Sequence, residues 1–198
     1  MNENAWEYVI PDNSITPNKF ANLSKAVIKY SAVNGQTLNE IFSVYDTVIV
    51  DTNINITNGC DYPVKFVGNK TITFSDGLIF NSSLSIVGCN IYSQNTAVVN
   101  TGEIYLDNCD ISGSIRFSQN RNIKNSIIKN CYMHDLNIST FYFIDYAFDN
   151  IIIENNVVEG FTSTLFNIGT GESEIDLTTR KLVVFRNNYI DGGNEVNA

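Results

Sequence analysis

Acidic, basic and imidazole side chains come close together at several points along this chain. Asp107 and Asp110 flank Cys109, and Lys129 follows in the next repeat of the pattern described below. Paired acids facing a base are what acid–base cleavage of a polysaccharide needs. A plainer outcome fits the same spacing: Asp107 and Lys129 stack on an outer face as a surface pair, which contributes little to stability. That is the expectation adopted. His134, the single histidine, precedes Asp135, and a carboxylate can orient an imidazole as a general base. No activated nucleophile accompanies it, so an exposed turn histidine is expected. Glu154 and Glu159 bracket Asn155-Asn156, while Glu172, Glu174 and Asp176 lie in a later acidic loop. Both groups read as solvated acids. No catalytic residue, cofactor or metal is assigned.

The thiols belong to a repeat. A short apolar strand is followed by Asn or Gly, then Cys or Asn, a polar residue and an aliphatic one. It reads Ile86-Val87-Gly88-Cys89-Asn90-Ile91, Leu106-Asp107-Asn108-Cys109-Asp110-Ile111 and Ile128-Lys129-Asn130-Cys131-Tyr132-Met133. It continues as Ile153-Glu154-Asn155-Asn156-Val157-Val158 and Phe185-Arg186-Asn187-Asn188-Tyr189-Ile190. The Cys/Asn position advances by 20, 22, 25 and 32 residues. Short strands with turn residues at this period predict a solenoid of β-strand coils. Cys89, Cys109, Cys131, Asn156 and Asn188 then form a structural ladder, at a spacing of about 4.8 Å between neighbouring strands. Small buried thiols suit such an interior, so free cysteines are expected rather than disulfides. Without a CxxC or a nearby histidine pair, a zinc site is not expected. Cys60 lies outside the ladder.

Composition narrows the partners. Charged residues make up only 17% of the 198 residues, and 12 basic against 21 acidic side chains give a net charge of -9. Such a surface repels phosphate backbones, so no nucleic-acid partner is expected. No run of eighteen apolar residues occurs, so no membrane insertion is expected. The segment Met1-Asn2-Glu3-Asn4-Ala5-Trp6-Glu7 lacks a basic region followed by an apolar run, so no secretory signal peptide is expected.

Three regions should position these groups. Residues 1–30 read as a docking or oligomerisation segment. Thr16 before Pro17 suggests a helix N-cap, and Phe20, Leu23 and Val27 follow at helical spacing, predicting a short amphipathic helix to about Tyr30. Trp6, Tyr8, Val9 and Ile10 add apolar anchors, and Ile15 is a further docking candidate. Residues 31–58 read as a helical cap and first coil. Thr37 with Glu40 makes a capping box for a helix to about Val44 or Tyr45, followed by strands at 46–50 and 54–56. Residues 59–198 read as the all-β solenoid body, with strands near 64–67, 71–74, 78–80, 84–87, 104–106, 115–117, 126–128, 151–153, 165–167 and 182–185. The run from Thr140 to Phe148 reads as an aromatic insertion. Phe141, Tyr142 and Phe143 are its interface candidates, for a subunit contact first and a glycan second. After Ile190 no capping helix is evident, and an uncapped edge invites a partner.

Residues 37–198, with their Asn/Cys ladders and helical cap, resemble a right-handed parallel β-helix of the pectate-lyase-like kind. Separately, Asp12-Asn13-Ser14-Ile15-Thr16-Pro17-Asn18-Lys19-Phe20 resembles the D-G-S-I-T-x-x-K-L segment of phage tail fibres and other virion appendages, with Asn13 for Gly and Phe20 for Leu. The resemblance implies a homotrimeric virion protein, made in the host cytoplasm. It would be a tail fibre, spike, head fibre or capsid decoration, joined to other virion proteins through its N-terminal segment. It also implies host attachment through surface polysaccharide. The alternative is a carbohydrate-active β-helix enzyme, a lyase or hydrolase. However, the Asn-Thr-Asp, paired-Asp, His-Gly and Arg-Ile-Lys segments of polygalacturonases do not occur here. A bacterial surface adhesin is disfavoured by the missing signal peptide.

Overall fold

Every strand pairing described below is parallel. The computed structural model describes residues 26–119, 125–138, 140–144, 150–163, 165–169 and 182–191. Among the described residues the first elements are β1 (Ala26–Lys29) and a 3-10 turn at Tyr30–Ala32, then α1 (Leu38–Val44) and β2 (Tyr45–Val50). Next come β3 (Ile54–Ile56), β4 (Val64–Gly68), β5 (Thr71–Phe74) and β6 (Leu78–Val87). The longest strands follow, β7 (Asn90–Asp107) and β8 (Asp110–Gln119), each bent through several pairings. Then come β9 (Asn125–Lys129), β10 (Tyr132–Leu136), β11 (Phe141–Ile144) and β12 (Asn150–Glu154). The last are β13 (Val157–Glu159), β14 (Phe166–Gly169), β15 (Leu182–Arg186) and β16 (Tyr189–Asp191).

These strands build three parallel ladders, which the chain visits in turn. The first runs β1, β2, β4, the end of β6, the end of β7, β9, β12 and β15. The second runs β3, β5, the start of β7, the start of β8, β10, β13 and β16. The third holds the start of β6, the middle of β7, the end of β8, β11 and β14. Leu84 pairs with Ile104, Ile104 with Ser126, Ser126 with Ile151 and Ile151 with Val183, so the chain returns to the same rung position at the interval of the sequence repeat.

The period-2 alternation of each strand sends one side chain inward and the next outward. In the first ladder Val48, Phe66, Ile86, Leu106, Ile128 and Ile153 make one buried column. In the third ladder Leu78, Val99, Phe117, Phe141 and Phe166 line up in the same way, with Phe117 and Phe141 stacked at 5.7 Å and Phe141 and Phe166 at 5.2 Å. Each such burial contributes about 1.5–3 kcal/mol relative to exposure. At the last described rung the matching column position, Phe185, is 52% exposed.

The N-terminal cap follows its capping box. The Thr37 side chain accepts from the Glu40 N–H, and the Glu40 carboxylate accepts from the Thr37 N–H. Leu38, Ile41 and Phe42 are buried, with Phe42 edge-on to Phe66 at 5.6 Å. Asn39 pairs with Asp61, which also accepts from Asn81, and so fastens the helix to the first rungs.

Two expectations need correction. The helix expected to reach Tyr30 does not: Ala26–Lys29 is a strand, with Val27 paired to Thr47 and 58% exposed. The β-branched pair Val27-Ile28 finds an open parallel edge on β2, and that pairing overrides the helical spacing. Trp6, Ile15, Phe20 and Leu23 lie outside the described residues. The aromatic insertion is also corrected, because Phe141–Ile144 is a regular rung between β8 and β14. Phe141 is fully buried and not a surface contact. The side chains of Tyr142 and Phe143 lie outside the described residues.

Candidate functional site

Between the first and second ladders the chain turns by the same device at five levels. Gly88, Asn108, Asn130, Asn155 and Asn187 all have left-handed backbone, with φ between 53° and 74°. Glycine and asparagine are the residues that tolerate that region best. The next residue points inward, and this is where Cys89, Cys109, Cys131, Asn156 and Asn188 lie. Cys109 Sγ is 3.3 Å from the Ile86 carbonyl, and Cys131 Sγ is 3.1 Å from that of Lys129. The Cys131 N–H donates to Asn156 Oδ1, and the Asn156 amide donates to the Ile128 carbonyl. Burial pushes the Cys89 thiol up to about 12, and hydrogen bonding to Cys109 together with burial raises Cys131. A raised pKa keeps Cys89 and Cys131 in the thiol form, whereas hydrogen bonding with Cys131 lowers that of Cys109. All four cysteines are free.

Outside the turn the asparagines make a second ladder. Asn130 donates to Asp107, Asn155 to Asn130 and Asn187 to Asn155. Lys129 reaches Asp107 at 3.4 Å and sits 5.4 Å from the centre of the Tyr105 ring. Partial burial opposes ionisation of Asp107, but hydrogen bonds from Asn130 and Tyr105 and the Lys129 charge outweigh it and lower its pKa. One level on, Arg186 pairs with Glu154. On this face Asp107 pairs with Lys129 and Glu154 with Arg186.

The second ladder presents the richest chemistry. Its outward residues fall in two columns. One holds Asn55, Thr73, Tyr92, Ser112, His134, Glu159 and Asp191, and the other Asn90, Asp110, Tyr132, Val157 and Tyr189. His134 Nδ1 is 2.7 Å from Asp135 Oδ2 and Nε2 is 3.0 Å from Asp110 Oδ1. Asp135 sits at a register shift with φ 53°, a bulge that turns its carboxylate to the imidazole and returns Leu136 to the core. Partial burial works against charge on His134, but the hydrogen bond with Asp135 and the charge of Asp110 prevail and raise its pKa. The Tyr132 ring stacks on His134 at 4.9 Å, and its hydroxyl donates to Glu159. The histidine is therefore a strand residue clasped by two acids, not the turn residue expected. No nucleophile joins the cluster, and no set of metal-ligating side chains forms among the described residues.

The residues around Tyr92 escaped the sequence reading. Ile54-Asn55-Ile56, Ile72-Thr73-Phe74 and Ile91-Tyr92-Ser93 are three alternating segments in register. Aligning them by their alternation would have placed Asn55, Thr73 and Tyr92 on one outward line. They border a groove of about 500 Å³.

No known protein family, curated protein or solved structure was found to match the chain. No helix among the described residues is long and apolar enough to cross a membrane.

Proposed function

We propose that this chain is a right-handed parallel β-helix of the pectate-lyase-like kind. It serves as a structural bacteriophage virion protein, a trimeric fibre, spike or capsid decoration that contributes to attachment at host-surface glycans. The observation that carries the reading is how the polar residues of the repeat are used. The inner Cys/Asn ladder and the outer asparagine ladder spend their hydrogen bonds on holding one level to the next. A rod built by such repetition suits a protein whose task is reach and rigidity. Assembly into the virion would run through the N-terminal segment. Light scattering on the full chain tests the reading. A stable trimer supports it, and a monomer that degrades polysaccharide overturns it.

The enzyme alternative has one observation in its favour, the convergence of Asp110, His134 and Asp135. A carbohydrate-active enzyme using them would lose activity in Asp110→Asn without losing its fold. Both imidazole nitrogens are already engaged by the two carboxylates, which favours the structural reading.

A further inference from the structure

We infer that the groove beside Tyr92 is a binding site for an uncharged, hydroxyl-rich oligosaccharide. The inference rests on the attachment half of the function proposed above and gives it a place and a ligand class. The groove lies along the turns that follow the second ladder. Asn55, Thr73, Ser75, Asp76, Tyr92 and Gln94 line it. Its volume of about 500 Å³ falls in the range of about 300–1,000 Å³ usual for small-molecule sites.

Three features point to a sugar. First, Tyr92 stands in the groove wall and is 40% exposed. Gly113 of the next rung leaves its ring edge clear, since a Cβ there would come within 3.1 Å of it. An aromatic ring at a groove wall offers a flat apolar surface for the C–H face of a pyranose. Second, the other walls carry amides and hydroxyls. Among the described residues, the side chains of Asn55, Thr73 and Gln94 make no hydrogen bond within the chain. They are available as donors and acceptors for sugar hydroxyls, and an amide can serve both roles for one hydroxyl pair. Third, the floor is rigid. Phe74 is buried, and the Ser93 hydroxyl donates to the Asn95 carbonyl and sits 3.4 Å from that of Phe74.

Electrostatics select the sugar class. The chain carries a net charge of -9, so uronic and sialic acids would meet repulsion. Asn55, Thr73 and Tyr92 occupy equivalent positions on three consecutive levels. The line of polar contacts therefore runs across the strands, long enough for more than one sugar ring.

The test is titration of the full chain with uncharged gluco-, galacto-, manno- and N-acetylglucosamine tetrasaccharides, with tetragalacturonate and sialyllactose as acidic counterparts. At least one uncharged member should bind. Tyr92→Ala should weaken that binding by about tenfold, and Tyr92→Phe should keep it within a few-fold. Should Tyr92→Ala fail to fold, the exposed changes Asn55→Ala and Gln94→Ala should each weaken binding. Binding of none of the uncharged sugars, binding of the acidic pair alone, or uncharged-sugar binding indifferent to these changes would overturn the inference. A trimer that binds none of the uncharged sugars removes the groove as a site and leaves the structural role standing.

Discussion

Asn188 Oδ1 accepts two hydrogen bonds from Asn156, one from its backbone N–H at 3.0 Å and one from its side-chain amide at 2.9 Å. The same Asn156 accepts from the Cys131 N–H, and Asn188 donates to the Ile153 carbonyl. Two side chains 32 residues apart thus tie together three levels of the first turn. Where the ladder changes from cysteine to asparagine, sulfur contacts with carbonyls give way to full amide hydrogen bonding.

Replacing Asn156 with leucine keeps the branched shape of the side chain and removes its hydrogen bonding. The Cys131 N–H and the Ile128 carbonyl would lose the Asn156 side chain as partner, and Asn188 Oδ1 would keep only the bond from the backbone N–H. Each buried polar group left without a partner costs about 1–3 kcal/mol. Urea denaturation should therefore place the Asn156→Leu midpoint well below that of the wild type. An unchanged midpoint would mean the amide is not spanning these levels.

The left-handed turn predicts a contrast at one position. Asn108 has φ 53°. Asn108→Ala should cost about 1–2 kcal/mol, because alanine must hold a left-handed backbone, whereas Asn108→Gly should cost less. Equal midpoints for the two variants would contradict the turn geometry.

Most of this was legible because the repeat writes its own constraints. Gly or Asn before Cys or Asn encodes a left-handed residue followed by an inward one, and the strands before the turn could be read from their β-branched residues. The strands after the turn, β10, β13 and β16, were not identified. Each is five residues or fewer and mixes polar with apolar side chains, as in Tyr132-Met133-His134, so it carries little strand signal of its own. Phe141 was misplaced for the opposite reason. A dense aromatic run suggests a surface contact, yet the alternation within Phe141–Ile144 sends its first ring into the stack between Phe117 and Phe166. The Tyr92 groove was hidden because its residues are ordinary singly and gain meaning only in register.

Phe141→Ala tests that correction. Truncating a buried phenylalanine typically costs about 3–5 kcal/mol through lost burial and the cavity left behind. The variant should unfold much earlier and keep the assembly state of the wild type. If thermal stability holds while the solution mass falls, Phe141 belongs to an interface after all.

His134 gives the stability a pH dependence of known sign. Its pKa in the folded protein lies above the ordinary value of 6.5. The folded state therefore binds the proton more tightly than the unfolded chain. Its contribution is complete below about 6.5 and disappears as pH rises through the folded value. Melting of wild type and His134→Gln at pH 6 and pH 8 should show the larger gap at pH 6. A gap that widens toward pH 8 would contradict the clasp by Asp110 and Asp135.

Successive levels stack in register, one repeat upon the next, and distances between spin labels report that stacking. Lys65 and Ile152 are four pairings apart along the first ladder, and Thr73 and Glu159 are four apart along the second. At the strand spacing of about 4.8 Å, the backbones of both pairs should lie about 19 Å apart, with narrow distributions. Two pairs near that value support the stacked levels. Distances that differ widely between the pairs, or that spread over tens of ångströms, would contradict them.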